Sequence, residues 1–236
     1  MTTSGTDTFN LNLNELVEEA FERCGVELRT GYDLRTARRS LNLLTIEWAN
    51  RGINLWTLEQ GEIQMNQGQI TYPLPVDTID LLEHVTRTQT GQQQTDVNIN
   101  RISADTYMTI PNKNAQGRPI QVWINRQSGA DYAVDGVIPP TINVWPCPDQ
   151  DNYYTFVYFR LRRIQDAGKG VTTQDIPFRF LPCMVAGLAY HLSKKLPGAM
   201  ERTAMLKADY EELWQQAADE DREKAPLRIA PRQMFF

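Results

Sequence analysis

His84 and His191 are the only imidazoles in this 236-residue sequence, so a zinc site or an imidazole base has to be built around one of them. His191 follows Cys183 by eight residues on one predicted helix, two turns and about 12 Å along its axis. That is too far for one zinc, whose ligands lie ~2.0–2.3 Å from the metal. Both histidines therefore read as ordinary core or surface residues. Asp149 and Asp151 have the opening spacing of a calcium loop, but Tyr153 and Phe156 stand where the next oxygen ligand and the glycine turn belong. Asp77 and Asp80 flank a predicted strand start and read as turn residues rather than a general acid/base pair. Gly168-Lys169-Gly170 is a loop with one lysine, not GxxxxGK[ST]. Neither GxSxG nor HExxH occurs. The expectation is a protein without catalytic residues, metal ligands or cofactor.

Recognition chemistry is better represented. Tyr153, Tyr154, Phe156, Tyr158 and Phe159, followed by Arg160, Arg162 and Arg163, have the composition of a stacking platform beside a phosphate-binding rim. A strand buried on both faces gives the same pattern. Arg35, Arg38 and Arg39, with Asn42 and Glu47, form the wet face of a predicted helix. The segment Asp209 to Glu223 holds seven acids against Arg222, a balance of −6. The arginines read either as a plain solvated face or as one side of a subunit interface, with Asp209, Glu212 and Asp219 of another copy as candidates for the other side. The last stretch, from Lys224, is different again. Pro226 and Pro231 forbid helix, yet Leu227, Ile229, Met234, Phe235 and Phe236 are apolar and Lys224, Arg228 and Arg232 give +3. Such a segment is suited to docking as an arm on another chain.

These residues need elements to position them. The helix from Thr30 to Gly52 has Ala37, Leu41, Leu44 and Trp48 on one face, a capping pair in Thr30 and Asp33, and Ile53 placed to touch Trp48 past the Gly52 stop. Asn12 and Glu15 cap an earlier helix with Leu16, Val17, Ala20, Phe21 and Cys24 on its face, ending at Gly25. The two are expected to pair as an antiparallel hairpin. Short strands follow: Leu58–Met65 turning at Asn66-Gln67-Gly68 into Ile70, Tyr72 and Leu74; Ile79–Thr88; Val97 and Ile99; Val122 and Ile124; Ile142 and Val144; Tyr154–Leu161. Ser103 caps a single helical turn, Gly91–Thr95 is expected as a loop tip, and Ser128–Pro140 as a mobile connector. No βαβ crossover is expected. Helices return with Leu181, Val185, Leu188 and Leu192 on one face, then Met200, Ala204, Lys207, Tyr210, Trp214 and Ala217 on another.

The fold class is therefore α+β. A helical bundle from the N- and C-terminal helices (11–56 and 175–223) carries an inserted antiparallel β region (57–165) and an extended C-terminal arm (224–236). Phe21, Leu41, Leu44, Trp48, Leu188 and Trp214 are its expected core. The net charge of −5, with 41% apolar and 22% charged residues, is ordinary globular composition and argues against bulk nucleic-acid binding. Cys24, Cys147 and Cys183 are odd in number and widely spaced, as reduced core thiols of a protein folded in a cytoplasm. The start MTTSGTDTFN lacks a secretory signal, and the absence of a ~20-residue apolar run argues against a membrane partner.

Several local motifs occur in a telling order: Cys24-Gly25-Val26; Glu47-Trp48-Ala49-Asn50-Arg51-Gly52-Ile53-Asn54-Leu55-Trp56; Tyr72-Pro73-Leu74-Pro75; Gly117-Arg118-Pro119 before Trp123; Val144-Trp145-Pro146-Cys147-Pro148-Asp149; the aromatic strand to Arg160; and Ile176-Pro177 ahead of Leu188-Ala189-Tyr190-His191-Leu192. This order resembles the head–tail connector (adaptor) proteins of short-tailed bacteriophages, the tail tubular and tail accessory proteins found beneath the portal ring. The resemblance implies a non-enzymatic virion protein, made in the bacterial host's cytoplasm. Its copies would form a ring, dodecameric by that resemblance, around the DNA exit channel, joining portal to tail and helping to retain packaged DNA. The implied partners are the portal, downstream nozzle or fibre proteins, and further copies of the chain, with duplex DNA passing without specific binding and no membrane. Leu227–Phe236 would reach the portal. Competing readings are a DNA-binding module on residues 153–163, a tail-fibre or baseplate adaptor, and a cell-wall hydrolase using Asp77 and Asp80.

Overall fold

The computed structural model describes residues 3–52, 55–90, 93–127, 129–131 and 136–221. The elements in order are α1 (Leu13–Cys24), α2 (Gly31–Arg51), β1 (Leu58–Gln64), β2 (Thr71–Pro73), β3 (Thr78–Thr90), β4 (Gln93–Asn98) and β5 (Asn100–Arg101). Next come α3 (Ala104–Thr109), β6 (Gln121–Asn125), β7 (Gly129–Asp131), β8 (Gly136–Ile138), β9 (Thr141–Trp145) and β10 (Tyr154–Arg162). Last are α4 (Leu181–Ser193) and α5 (Thr203–Glu220). The class is α+β. One compact unit comprises the chain up to Trp56 and from Ile164 on; the other is Thr57–Arg163.

In the helical unit, local chemistry sets the helix ends. Asn12 accepts from the Glu15 amide at 3.1 Å while the Glu15 carboxylate accepts from the Asn12 amide at 2.9 Å, a reciprocal capping box. Thr30 and Asp33 repeat it at 3.3 and 3.0 Å. Gly25 (φ 74°) and Gly52 (φ 82°) take the left-handed conformation that stops α1 and α2. Ile53, the expected cap contact, lies outside the described residues.

The centre of this unit is α4. Ten of its thirteen residues are buried, so its apolar positions do not form the single face that Leu181, Val185, Leu188 and Leu192 suggest. It packs against α1, α2 and α5, whereas α1 and α2 meet each other at only a few positions. α1 and α2 each lay their apolar stripe chiefly on α4 rather than on one another. Pro182 fits because it falls in the first turn, where no intrahelical donor is lost. The phase of the last helix also differs. Pro197–Arg202 is 3-10 and α5 begins at Thr203, so Leu206, Tyr210, Trp214 and Ala217 are buried while Met200, Ala204 and Lys207 face solvent.

In the β unit, two four-stranded sheets run β1-β10-β3-β4 and β2-β9-β6-β5, with β7 and β8 a separate hairpin. The turn after β1 does not return the chain onto β1. β1 pairs with β10 and β2 with β9, both antiparallel, so the two flanks of Asn66-Gln67-Gly68 lie in different sheets. The region is not wholly antiparallel either, since β5 and β6 pair in parallel around α3. Ser103 does cap α3, accepting from the Thr106 amide at 3.1 Å. Gln93–Thr95, expected in a loop tip, belong to β4, which pairs with β3, and Ser128–Pro140 contains the β7–β8 pair where described. Met65, Tyr72, Leu81, Val122, Ile142 and Phe156 anchor a core drawn from both four-stranded sheets.

Candidate assembly surfaces

The polar groups inside the helical unit fasten it. Trp48 is fully buried and its indole N–H donates to Tyr210 Oη at 3.0 Å; Tyr210 in turn donates to Glu47 Oε1 at 3.1 Å. Glu47 Oε2 lies 3.1 Å from His191 Nε2, and Arg51 reaches Glu47 at 2.7 Å. Arg51 also grips Glu211 with two bonds of 3.0 Å and lies 4.7 Å from the Trp214 ring centroid. Glu47 is therefore a hub between α2, α4 and α5, not part of a wet face. An i,i+4 Glu–Arg pair ending at Gly52 was the legible half of this network; Tyr210 and His191 are remote in sequence.

This network is poorly suited to proton transfer or nucleophilic attack. Burial pushes the Tyr210 hydroxyl up, with Glu47 adding to the effect, and burial outweighs Glu47 in holding His191 below the usual imidazole range. Burial raises Cys24 to about 11 and Cys183 to about 12, so both thiols stay protonated at neutral pH. All three cysteines are free and buried.

The aromatic strand β10 is a packed strand. Tyr154, Phe156, Val157 and Tyr158 are buried, while Tyr153 and Phe159 are exposed. Arg160 is held by Asp77 at 2.6 Å and Glu59 at 2.7 Å, and Arg162 by Glu59 at 2.7 Å. Both arginine side chains are 12% exposed, turned to carboxylates rather than toward a phosphate backbone. Asp77 and Asp80, candidates for turn residues or an acid/base pair, are ion-pair acceptors. Arg160 lowers the pKa of Asp77 chiefly by hydrogen bonding, and Asp80 takes Arg101 at 2.9 Å and Arg126 at 3.2 Å.

The charged surfaces lie elsewhere. Arg35 and Arg39 are exposed and, with Tyr32 and Asn42, line a surface cavity of ≈ 480 Å³. Arg38 lines the same cavity but is half-buried and donates to the Ala167 carbonyl at 3.2 Å. Asp209, Glu212 and Asp219 are exposed along α5. Phe21, Leu41, Leu44, Trp48 and Leu188 are at most 1% exposed, and Trp214 is 8% exposed. Every residue of the docking arm, Leu227, Arg228, Ile229, Arg232, Met234, Phe235 and Phe236, lies outside the described residues. One surface escaped the sequence reading. Glu15, Glu18, Glu19 and Glu22 recur at i, i+3, i+4 and i+7 on α1, an acidic stripe whose spacing was legible.

The helical unit is thus fastened by buried polar groups and carries segregated charged faces. The chain belongs to the SU10 adaptor protein family, whose model matches residues 11–230, and this is a family of phage head–tail adaptors. No curated protein matches it. Among the described residues, no helix is long and apolar enough to cross a membrane.

Proposed function

We propose that this adaptor assembles as a ring beneath the portal, joins the capsid to the tail, and helps retain packaged DNA. The observation that carries this reading is the family match over residues 11–230. Charge segregation supports the ring. A closed ring needs heterologous contacts between unlike faces, and Arg35 and Arg39 on α2 suit Asp209, Glu212 and Asp219 on a neighbour's α5. Arg38, already bonded to Ala167, positions that face. The net charge of −5 suits a channel wall past which duplex DNA slides without specific binding. The function is architectural and non-enzymatic, its site the virion neck, with portal above and nozzle or fibre proteins below.

The arm from Leu227 to Phe236 is the proposed portal contact. Light scattering on the full chain alone, and then with portal, tests the reading. A species of fixed stoichiometry appearing only with portal is expected, and a variant lacking 227–236 should keep its fold but lose that species. If the truncated chain still assembles on portal, the arm assignment is wrong; if the full chain ignores portal, the ring reading falls.

A further inference from the structure

Beside α1 the helical unit carries an open groove of ≈ 950 Å³ that nothing in the described chain fills. Its floor and walls are apolar: Phe9, Leu11, Phe178, Leu181, Pro182 and Val185. Leu181 and Val185 are buried at the base, but Phe9 is 77% and Phe178 75% exposed. Two largely exposed aromatic side chains lining the same groove as buried Leu181 and Val185 mark a surface short of a partner. The rim is acidic. Asp7, Glu15, Glu18, Glu19 and Glu22 line it against Arg23 alone, a net of −4, and Arg23 is already paired with Glu19 at 3.1 Å.

The occupant that fits must be apolar, basic and extended. The chain supplies such a segment: Lys224–Phe236 has five large apolar side chains, three basic groups, no acid, and two prolines that keep it from folding as a helix. Its point of departure is also right. Asp221, where the described chain ends, is pinned by Arg179 Nη2 at 2.8 Å and by the Leu55 amide at 3.3 Å. Arg179 directly follows Phe178 of the groove wall. The fifteen residues 222–236 span up to ~50 Å when extended, ample for a groove that starts one residue away from the anchor.

We propose that in the free subunit the C-terminal segment 224–236 lies in this groove of its own chain, setting Arg228 and Arg232 against the Glu18–Glu22 rim and its apolar side chains beside Phe9 and Phe178. The groove thus covers an apolar segment that would otherwise promote association before the subunit reaches its place. This inference concerns the free subunit and stands apart from the portal reading, which is scored by assembly.

The full chain tests it in two ways. Trypsin cuts after Lys224, Arg228 and Arg232, and cleavage follows the population of the undocked state. Glu18→Lys with Glu22→Lys, both exposed changes, should speed cleavage about tenfold without altering the melt; raising salt from ~0.1 to ~1 M, which shortens the screening length from about 10 to about 3 Å, should speed it in the parent and not in the variant. Phe9→Cys with Phe235→Cys supplies the geometry, since the native cysteines are buried. Mild oxidation should join the two within one chain, seen as a linked tryptic peptide from monomer. Equal cleavage rates in parent and variant, or no link, overturn the proposal. A link found only in dimers overturns it in favour of a second copy's arm.

Discussion

Glu47 takes a hydrogen bond from Tyr210, faces His191 and pairs with Arg51, and this convergence decides what the site can do. The Glu47 carboxylate is engaged on both oxygens, and Tyr210 and His191 are each held by burial in the neutral form. What remains is mechanical: the Tyr210 hydroxyl accepts from Trp48 and donates to Glu47, tying α2 to α5. Tyr210→Phe removes that oxygen alone. The indole N–H of a fully buried tryptophan then has no acceptor, and the expected loss is ~1–3 kcal/mol, the penalty of an orphaned buried donor rather than the smaller net value of one hydrogen bond. Urea unfolding checks this: the midpoint should fall at constant m. An unchanged midpoint would mean that the hydroxyl is dispensable to the core.

At the scale of elements, α4 carries the helical unit, and Gly187 sets how closely its neighbours approach. A Cβ there would lie 2.9 Å from Tyr210 Cε2 and 3.0 Å from both Leu44 methyls. Alanine is the better helix former by ~1 kcal/mol, but two side chains from different helices would both have to move, and overpacking costs ~1–3 kcal/mol. Gly187→Ala should therefore destabilise on balance, seen as a lower urea midpoint; stabilisation would show that the crossing has slack. Gly187 also marks how far sequence reading reaches. The boundaries of α1 and α2 were legible because capping boxes and left-handed glycines act within a few residues. The pivotal role of α4 was not, because α1 and α2, far upstream in the sequence, bury the sides that α5 leaves open. The same limit explains β1 and β2: Asn66-Gln67-Gly68 announces a turn, but which strand each flank joins is set by β9 and β10, whose paired positions lie 68 to 103 residues downstream. For the assembly surfaces, exposure of Arg35 and Arg39 follows from helical period, while the inward turn of Arg38 and the hub role of Glu47 depend on Ala167, Tyr210 and His191.

For the whole molecule, the distribution of charge matters more than its sum. Arg35 and Arg39 on α2 and Asp209, Glu212 and Asp219 on α5 are exposed in one unit. In a proposed heterologous ring, every copy presents its arginines to one neighbour and its acids to the other. Exposed pairs contribute little to stability, ~0–1 kcal/mol each, but they choose partners and register, because like charges brought together at an interface are strongly disfavoured. Arg35→Glu with Arg39→Glu should therefore leave the melt of the free subunit unchanged and abolish the portal-dependent species in light scattering. Adding Asp209→Arg and Glu212→Arg to the same chain should restore it, since each interface then has its signs exchanged on both sides. Restoration separates pairing from mere crowding: a variant that only disturbed local packing would be made worse by two further changes. If the doubly reversed chain stays unassembled while remaining folded, these two faces do not meet, and the proposed ring contact between α2 and α5 falls.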